Sequence, residues 1–594
     1  MTTGLHASPS LDPGFRAGLA ARHPDVSTLW YAAWALALLA LLLFGLGGVP
    51  LFDVDEGAFT EATRELLASG DWGHTTLNGE DRWDKPILTY WLQALSVTLF
   101  GPDLYAHRLP SALATWLWAV FVAHQVSQSH GRRAGMVAAT VLASSLGVML
   151  IGRAATADAL LNLWLTLATL WLWQALRDLA PDAHDASDDP HAKGQTRAAG
   201  LRALRLAALA IALGLLTKGP VALLVPGATT VLMVLTQPGP RWPRLRALLA
   251  DPLAWLVLVG VALPWYAYAL QRHGMAFVEG FLWRHNLQRY GATLEGHAGA
   301  WSYYLLLLPL LLLPWSALLL PLLARLRSLW REPADRHLLL WAGFVLVFFS
   351  ASGTKLPHYA LYGLTPLAML AGRWLAAPNS FAAARLDRIA RLLLGVALAL
   401  LPMGALWLSD LAQSRMAAST RPADALHALL LAGPGLLDGE SGRLRLVGAA
   451  VIGLVLGLWA WRGLRDRDHG PARTSLPMFA ALVVSLGLTQ VLLPWWGERL
   501  QGPVVALARL TVARHPQAGV VQWGLHQPSF ALLIGRPTPR RAPEPGELAL
   551  VRVDRLDTLS LPDVPGSATD PRSFRVVGLA TGYLLIERTA PAAP

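Results

Sequence analysis

Long apolar segments alternate with short polar ones through roughly the first 500 residues of the chain. Runs of about 17–25 apolar residues have the length that a helix needs to cross a lipid bilayer. We predict about 13 such spans, near residues 29–50, 105–128, 134–152, 157–176, 203–217, 219–236, 253–270, 301–324, 337–352, 357–375, 390–409, 443–461 and 475–495. A further stretch near 86–100 predicts a short or partly inserted helix. The pattern indicates a polytopic α-helical membrane protein.

The pattern changes after Trp496, where the remaining residues are of mixed polarity and contain Pro-rich stretches. Short runs of alternating or β-branched residues are typical of strands. They predict strands at Val520–Leu525, Phe530–Ile534, Leu548–Val553, Phe574–Leu579 and Tyr583–Ile586. We therefore predict a small C-terminal α/β domain over residues 497–594.

Basic residues gather in every second loop, which is the positive-inside pattern of cytoplasmic loops. The clusters are Arg132 and Arg133; Arg241, Arg244 and Arg246; Arg325, Arg327 and Arg331; Arg385, Arg388 and Arg391; and Arg462, Arg465 and Arg467. This pattern predicts a cytoplasmic tail at 1–28 and a transmembrane domain at 29–496 with a periplasmic loop at 51–104. It places residues 497–594 in the periplasm. The polar stretch 178–200 is predicted to be a flexible cytoplasmic loop.

Composition supports a membrane protein and excludes two other classes. Hydrophobic residues make up 54% of the chain and charged residues 15%, and the mean hydropathy of +0.42 is far above that of a soluble protein. The net charge of +11 lies mostly in short loops, where it sets topology, so it does not indicate nucleic-acid binding. The chain has no cysteine, which excludes disulfides and thiolate metal sites.

Isolated cations lie at tight junctions between spans on the opposite, outer face. They are Lys85, Arg153, Lys218 and Lys355. Each alone could reach lipid headgroups or cap a helix C-terminus. Four cations on one face of the membrane are better explained by a lipid-linked phosphate.

Carboxylates converge on the same face. The first outer loop begins with Asp53, Asp55 and Glu56, and the apolar spacing after Asp55 predicts an amphipathic helix on the membrane surface. Asp158 opens an apolar span, where an ionisable residue indicates a functional site. Both Asp55 and Asp158 could instead be helix N-caps. A carboxylate beside a polyprenyl phosphate favours glycosyl transfer, with the carboxylate as general base and the cations on the departing phosphate.

Several motifs resemble the GT-C superfamily of membrane glycosyltransferases, in the branch that holds the bacterial aminoarabinose transferase of lipid A and the protein O-mannosyltransferases. The matching segments are DEGAFTEATRELLASGDW (55–72), LNGEDRWDKPILTYW (77–91), GRAATADALL (152–161), TKGPVALLVP (217–226), HNLQRYGATLEGHAGAWSYY (285–304) and TKLPHYALYGLTPLAML (354–370). The resemblance implies a polyprenyl-phosphate sugar donor, a lipid A-like, glycan or protein acceptor, contact with membrane lipids, and a bacterial inner-membrane location with the active site facing the periplasm.

The resemblance also implies roles for individual residues. Asp55 matches the catalytic carboxylate, Glu56 its motif neighbour and Asp158 the second acidic position. Lys85 and Arg153 match positions near the donor phosphate, which Lys218 and Lys355 are expected to share. His358 and Tyr359 follow Lys355 and are candidates for substrate binding, together with Asn286 of the outer-loop motif. A divalent metal would lie between Asp84 and His285.

Five positions depart from the aminoarabinose transferase pattern. An Arg-Tyr pair after the Asp-Glu is replaced by Ala58 and Phe59, and a Tyr-Phe pair by Arg82 and Trp83. Asp84 stands where that enzyme has Glu. The residue that matches the catalytic Asp is retained, and the identities of the sugar and of the acceptor stay open.

Two other functions stay open from the residues alone. A transporter or flippase of lipid-linked sugars would explain the many spans, and it predicts inverted repeats and polar residues near the bilayer midplane. A non-enzymatic assembly protein of the envelope would leave the group of Asp55, Lys85 and Asp158 unexplained.

Overall fold

A computed structural model of the chain describes residues 26–180, 189–291, 299–376, 385–421, 424–465, 472–559 and 574–589. Nearly all of the predicted tail at 1–28 lies outside these residues. The first α-helices are α1 (Thr28–Leu43), α2 (Asp55–Ser69), α3 (Leu88–Phe100), α4 (Leu104–Ala143), α5 (Leu146–Gly152), α6 (Asp158–Asp178) and α7 (Pro190–Lys218). A hairpin of β1 (Thr76–Leu77) and β2 (Glu80–Asp81) joins α2 to α3.

The middle of the chain is also helical. Its α-helices are α8 (Val221–Thr236), α9 (Arg241–Leu249), α10 (Pro252–His273), α11 (Met275–Phe277), α12 (Arg289–Gly291), α13 (Tyr303–Leu311), α14 (Leu319–Ala324), α15 (Leu326–Arg331), α16 (Pro333–Ala351) and α17 (Leu364–Ala376). A π-helix, Val278–Gln288, joins α11 to α12, and 3-10 helices at Trp315–Leu318 and Pro357–Gly363 precede α14 and α17.

The remaining helices are α18 (Arg385–Ala417), α19 (Ala425–Leu431), α20 (Gly439–Arg465), α21 (Ala472–Gly487), α22 (Leu493–Arg514) and α23 (Pro528–Ile534), with a π-helix at Leu488–Leu492 and a 3-10 helix at Val553–Thr558. Helix α22 crosses the predicted domain boundary at residue 497. Beyond it, the described residues from His515 to Thr589 form what we call the C-terminal module. Its strands are β3 (Val520–Gln522), β4 (Leu548–Arg552), β5 (Phe574–Ala580) and β6 (Tyr583–Arg588).

The strands of the C-terminal module form one sheet in the order β3-β4-β6-β5. Strands β3 and β4 are parallel, and the other neighbouring pairs are antiparallel. Four of the five predicted strand runs are confirmed. The prediction at Phe530–Ile534 was wrong, because Pro528 begins helix α23 at its first turn and Gly535 ends it with a φ of 73°.

Within the described residues, eight helices are long and apolar enough to cross a membrane, or nine if the pair Tyr303–Leu311 and Trp315–Ala324, bent by 117°, forms one span. Helices α1, α3 and α8 are shorter apolar helices. A multi-span helical architecture is therefore confirmed, and the predicted total of about 13 spans stays a prediction.

Helix α4 contains the predicted span 105–128 and the first part of the next one, 134–152, which continues into α5. Gly131, with a φ of 80° and a ψ of 158°, interrupts it beside the basic pair Arg132 and Arg133. The two halves then approach so closely that a Cβ on Gly135 would lie 2.2 Å from the carbonyl oxygen of Ala123. The interruption therefore makes a helical hairpin, as the separate apolar runs predicted.

Two predictions about polar segments are corrected by the structure. The predicted loop at 178–200 is helical from Pro190, where the Asp189 carboxylate caps α7 by accepting a hydrogen bond from the His191 amide; residues 181–188 lie outside the described part. The predicted helix after Asp55 is present as α2. However, it is packed inside the protein, since its residues from Glu56 to Thr63 are buried.

The largest core cluster contains four buried tryptophans, and three of them donate the indole N–H to an acceptor; the N–H of Trp374 has no acceptor among the described residues. Trp118 donates to Thr365 Oγ1 at 2.9 Å, and Trp315 donates to Ser144 Oγ at 2.9 Å. Trp341 of α16 donates to the Tyr362 carbonyl at 2.8 Å. A buried indole N–H usually finds such a partner, and the last bond fixes the segment Pro357–Gly363 against α16.

Helix packing depends on glycine at position 372. A Cβ there would lie 2.3 Å from the Ala138 Cα, and the backbone of α4 cannot move aside cheaply. We expect Gly372→Ala to destabilise the protein by about 1–3 kcal/mol, measured as a lower midpoint of thermal unfolding in detergent. The matched control is Gly227→Ala, because the space around Gly227 within α8 is open. Equal midpoints for the two variants would contradict this packing.

Candidate functional site

Glu56 and Arg108 form a fully bonded ion pair beside Asp55. Arg108 donates to both carboxylate oxygens of Glu56 at 2.8 Å, and the backbone amides of Phe52 and Ala155 also donate to Glu56. Both side chains are buried. Burial opposes ionisation of Glu56, but the charge and hydrogen bonds of Arg108 outweigh it and hold the pKa of Glu56 below its usual range.

Arg108 also binds the end of the segment that follows α1. Its Nη1 donates to the carbonyls of Leu46 and Val49, and its Nη2 donates to that of Pro50. All five guanidinium N–H groups therefore have acceptors. The pair joins the end of α1, the start of α2, α4 and the turn that leads to Asp158.

Asp55 differs from its neighbour, because its side chain is exposed. Among the described residues, its carboxylate accepts no hydrogen bond and forms no ion pair, but it is close enough to Arg82 and Lys218 to interact electrostatically. An exposed carboxylate held near cations can accept a proton from a bound hydroxyl group.

Asp158 lies at the first turn of α6 and is paired. Lys218, at the end of α7, donates to its Oδ1 at 2.6 Å, and the Tyr362 hydroxyl donates to the same oxygen at 3.2 Å. His358 Nε2 lies 3.8 Å from that oxygen, and the Lys218 ammonium lies over the ring of Tyr359, 5.8 Å from its centroid. Three helical segments therefore converge on one carboxylate.

Asp84 anchors a second group of cations. Arg82 Nη2 donates to Asp84 Oδ2 at 2.9 Å, and Lys85 Nζ lies 3.4 Å from the same oxygen. Burial raises the pKa of Asp84, but the charges of Arg82, Lys85 and His285 lower it more. The pKa of this carboxyl group therefore lies well below its usual range. Lys85 also interacts electrostatically with Asp158, which connects the two groups.

Arg82 is held in place by three contacts. Besides Asp84, its Nε donates to the Tyr90 hydroxyl at 2.8 Å, and its guanidinium lies 5.5 Å from the centroid of the Phe59 ring. Among the described residues, its Nη1 has no hydrogen-bond acceptor, which leaves one edge of the guanidinium available for a ligand. Arg82 is one of the positions that depart from the family pattern.

Two of the predicted phosphate-binding cations cap helices instead of joining this cluster. Arg153 donates to the carbonyls of Leu41, Leu42 and Phe44 at the end of α1, and burial lowers its pKa to about 10. Lys355 donates to the carbonyls of Phe349, Ser350 and Ser352 at the end of α16. These contacts satisfy carbonyls that a helix terminus leaves without partners.

His285 and Asn286, the first two residues of the outer-loop motif, lie on the π-helix Val278–Gln288. Asn286 Nδ2 donates to the Phe281 carbonyl at 2.7 Å, and His285 is within electrostatic reach of Asp84. Among the described residues, no group of three or more His, Cys, Asp or Glu side chains could hold a metal ion. The predicted metal between Asp84 and His285 therefore stays a prediction.

Three side chains of this site were not predicted from the sequence, and a fourth, Arg82, was named only as a departure from the family pattern. Arg108 has no motif around it, and only the fold shows that it pairs with Glu56. Tyr90 and Tyr362 lie inside the matched segments, but nothing in their spacing indicates their acceptors. Arg82 could have been found, because it precedes Lys85 by three residues in a motif already rich in charge.

Loss of Arg108 is expected to be severe. In Arg108→Gln, Glu56 would remain buried without its cation, at a cost of about 3–5 kcal/mol. Thermal unfolding of the purified variant measures this loss. Arg575→Gln is the control, since Arg575 pairs with Glu587 while 67% exposed and such pairs contribute about 0–1 kcal/mol. Similar unfolding midpoints for the two variants would refute the anchoring role of Arg108.

Comparisons with known proteins agree with the motifs. A family model described as dolichyl-phosphate-mannose-protein mannosyltransferase matches residues 84–183. The chain is 32% identical over 340 residues to an undecaprenyl phosphate-alpha-4-amino-4-deoxy-L-arabinose arabinosyl transferase of Shewanella sediminis, covering 56% of this chain and 58% of the relative. Its counterpart in Aeromonas salmonicida is 35% identical over 346 residues, or 57% and 58% of the two chains. The chain thus spans less than two thirds of the length of these relatives.

The fold is similar over nearly the whole chain to that of ArnT from Cupriavidus metallidurans. The crystal structure bound to undecaprenyl phosphate has a TM-score of 0.70 at 19% identity and covers 94% of this chain and 98% of that one. The apo structure has a TM-score of 0.71 with the same coverage. The resemblance to the aminoarabinose transferase branch is therefore confirmed, and the chain has the GT-C membrane fold.

Proposed function

We propose that this chain is an inverting glycosyltransferase that moves a sugar from a polyprenyl-phosphate donor to an acceptor hydroxyl group. One observation carries the proposal: the exposed carboxylate of Asp55 lies within electrostatic reach of Arg82 and Lys218. Base and cations are the two groups that this reaction needs. The relatives support the donor class, because their names specify a sugar carried on undecaprenyl phosphate.

Asp55 acts as the general base. It takes the proton of the acceptor hydroxyl while the acceptor oxygen attacks the anomeric carbon of the sugar. The bond from that carbon to the phosphate oxygen breaks, and its electron pair leaves on the phosphate. One displacement inverts the anomeric configuration. The neighbouring Glu56 cannot take this role, since Arg108 and two backbone amides occupy its oxygens.

The leaving phosphate gains negative charge, which fixed cations stabilise. Lys85 and Lys218 are the side chains that we assign to this task, because both belong to the cluster around Asp55 and Asp158. Arg153 and Lys355 support the site from helix ends. Asp158 orients Lys218 through their ion pair of 2.6 Å.

His358, Tyr359 and Asn286 are the proposed contacts to the remainder of the substrate. Tyr359 stacks under Lys218 and beside His358, whose ring centroid is 4.8 Å away. An aromatic face beside a cation suits a sugar ring that follows a phosphate. The acceptor is a lipid A-like glycolipid, a glycan or a protein.

The reaction is proposed to occur at the periplasmic face of the bacterial inner membrane. The charged groups lie at helix ends: Asp158 begins α6 and Lys218 ends α7. A transporter would place such groups near the bilayer midplane. The basic clusters lie in the loops at the opposite ends of the spans, which assigns the site to the outer side.

A divalent metal fits Asp84 and His285 poorly. Asp84 Oδ1 is buried and accepts no hydrogen bond from the described residues, which suits a cation ligand. However, Oδ2 already binds Arg82 and Lys85, and their charges oppose a dication. No step of the mechanism requires the metal.

The Asp55→Asn variant tests the base. We expect transfer from an undecaprenyl-phosphate sugar to fall by about 10²–10⁴-fold, because the amide cannot accept the proton. Reconstituted protein with labelled donor gives the rate, and mass spectrometry of envelope glycolipids and glycoproteins identifies the missing product. The control is Asp81→Asn, whose carboxylate is 50% exposed and pairs with His74.

Full transfer by Asp55→Asn would refute the base assignment. If wild-type protein in proteoliposomes took up lipid-linked sugar in one direction and transferred no sugar, the protein would be a transporter and not a glycosyltransferase.

Arg82 is expected to contribute charge stabilisation that the sequence motif did not indicate. In Arg82→Gln, the loss of a charge-assisted hydrogen bond to the phosphate should lower kcat/KM about 10–100-fold. Arg82→Lys should lie between this variant and the wild type, because Lys cannot bridge Asp84 and Tyr90 together. The control is Arg272→Gln, which removes a surface pair with Asp71. Unchanged kinetics in Arg82→Gln would exclude this role.

A further inference from the structure

The C-terminal module binds the chain just before Asp55. The Ser529 amide donates to Asp53 Oδ1 at 3.1 Å, and the Ser529 hydroxyl donates to Asp53 Oδ2. Pro528 begins α23, so the amide of Ser529 is one of those that a helix start leaves without an intrahelical partner. Burial raises the pKa of Asp53 to about 7, although the bonds from Ser529 oppose this. Its two hydrogen bonds make Asp53 a half-buried anchor two residues from the proposed base.

The same module binds the hairpin that precedes the cation cluster. The amide and hydroxyl of Thr538 both donate to Asn78 Oδ1, at 3.0 and 3.1 Å. Both residues are buried, at 5% and 0% exposure for Asn78 and Thr538. Asn78 has a φ of 57° in the turn between β1 and β2, and Arg82 follows four residues later. Thr538 therefore fixes the turn from which Arg82 and Lys85 extend.

The two contact points are joined through α2. Glu65 Oε2 accepts hydrogen bonds from Thr76 and Gly79 of the hairpin. Arg64 donates to the Gly535 carbonyl at 3.2 Å, just after α23. A Cβ on Gly57 would lie 2.6 Å from the Ser529 amide nitrogen, so α2 and α23 are in direct backbone contact. The module thus touches α2 near its start, at Gly57, and again two turns later, at Arg64.

We infer that the C-terminal module positions the reacting groups, with Ser529 and Thr538 as positioning residues that act through Asp53 and Asn78. This inference rests on the proposed transferase function. Asp55 is exposed and lacks hydrogen bonds of its own among the described residues, so its placement depends on the backbone on either side. A misplacement of about 1 Å in such a group can cost roughly 100-fold in rate.

Two pairs of variants separate hydrogen bonding from charge. Asp53→Ala removes both bonds of the first contact, and Ser529→Ala removes its hydroxyl bond while the backbone amide bond remains. Asp53→Asn can keep both bonds, with the hydroxyl bond reversed. Asn78→Gly removes the side-chain oxygen that accepts from Thr538, and glycine tolerates the positive φ at this position. Asn78→Asp keeps an acceptor oxygen there. Thr511→Ala is the matched control, because within the described part of the chain that buried hydroxyl bonds only the Leu507 carbonyl of its own helix.

We expect Ser529→Ala, Asp53→Ala and Asn78→Gly each to lower kcat about 10–100-fold with little change in the KM of the donor. Asp53→Asn, Asn78→Asp and Thr511→Ala should stay within about threefold of the wild type. The double variant Ser529→Ala/Asp53→Ala should be no slower than Asp53→Ala alone, because Asp53→Ala already removes both bonds. An inactive Asp53→Asn, or a lower thermal midpoint with unchanged kcat in Ser529→Ala, would overturn the inference.

A higher KM for the acceptor with unchanged kcat would also overturn it, since the module would then be an acceptor-binding surface. Hydrogen exchange distinguishes failure of the inference from failure of the proposed function. Even if the wild type transfers no sugar, Ser529→Ala should exchange the amides of residues 55–60 at least about tenfold faster than Thr511→Ala does. Equal protection in these two variants would refute the positioning role on its own.

Discussion

The buried pair of Glu56 and Arg108 has every donor and acceptor satisfied, and four chain segments meet at it. Arg108 enters from α4, its carbonyl acceptors follow α1, and Glu56 begins α2. The amide of Ala155, which also donates to Glu56, stands three residues before Asp158. A buried charge is tolerated only when it is paired and fully hydrogen-bonded. The pair thereby fixes the segments that carry the two predicted acidic residues, Asp55 and Asp158, relative to each other.

The basic side chains around this ion pair have different roles. Arg153 and Lys355 bind helix carbonyls, whereas Lys85 and Lys218 bind the carboxylates of Asp84 and Asp158. The difference is one of geometry, since all four have the same formal charge. The two lysines bonded to carboxylates keep an ammonium group at the site, and the two cations that cap helices stabilise the bundle that carries the site.

The C-terminal module also supports the segments that carry the site. Its contacts with Asp53 and Asn78 enclose α2 and the hairpin from outside, while Phe59 of α2 packs on Tyr90 of α3 from within. A loop that carries reacting groups needs such support on both sides, because it has few contacts of its own. The close approach at Gly57 shows how little space separates the two parts.

The sequence by itself determined the helical, multi-span architecture, most of the strands and the motifs that carry Asp55, Lys85, Asp158 and Lys218. These follow from the period and length of apolar runs and from short patterns, which are local properties. Tertiary structure decided what each charge binds. Arg108 lies 52 residues from Glu56, and Ser529 lies 476 residues from Asp53. No local pattern encodes such pairs, because they depend on how helix ends and the C-terminal module meet in space.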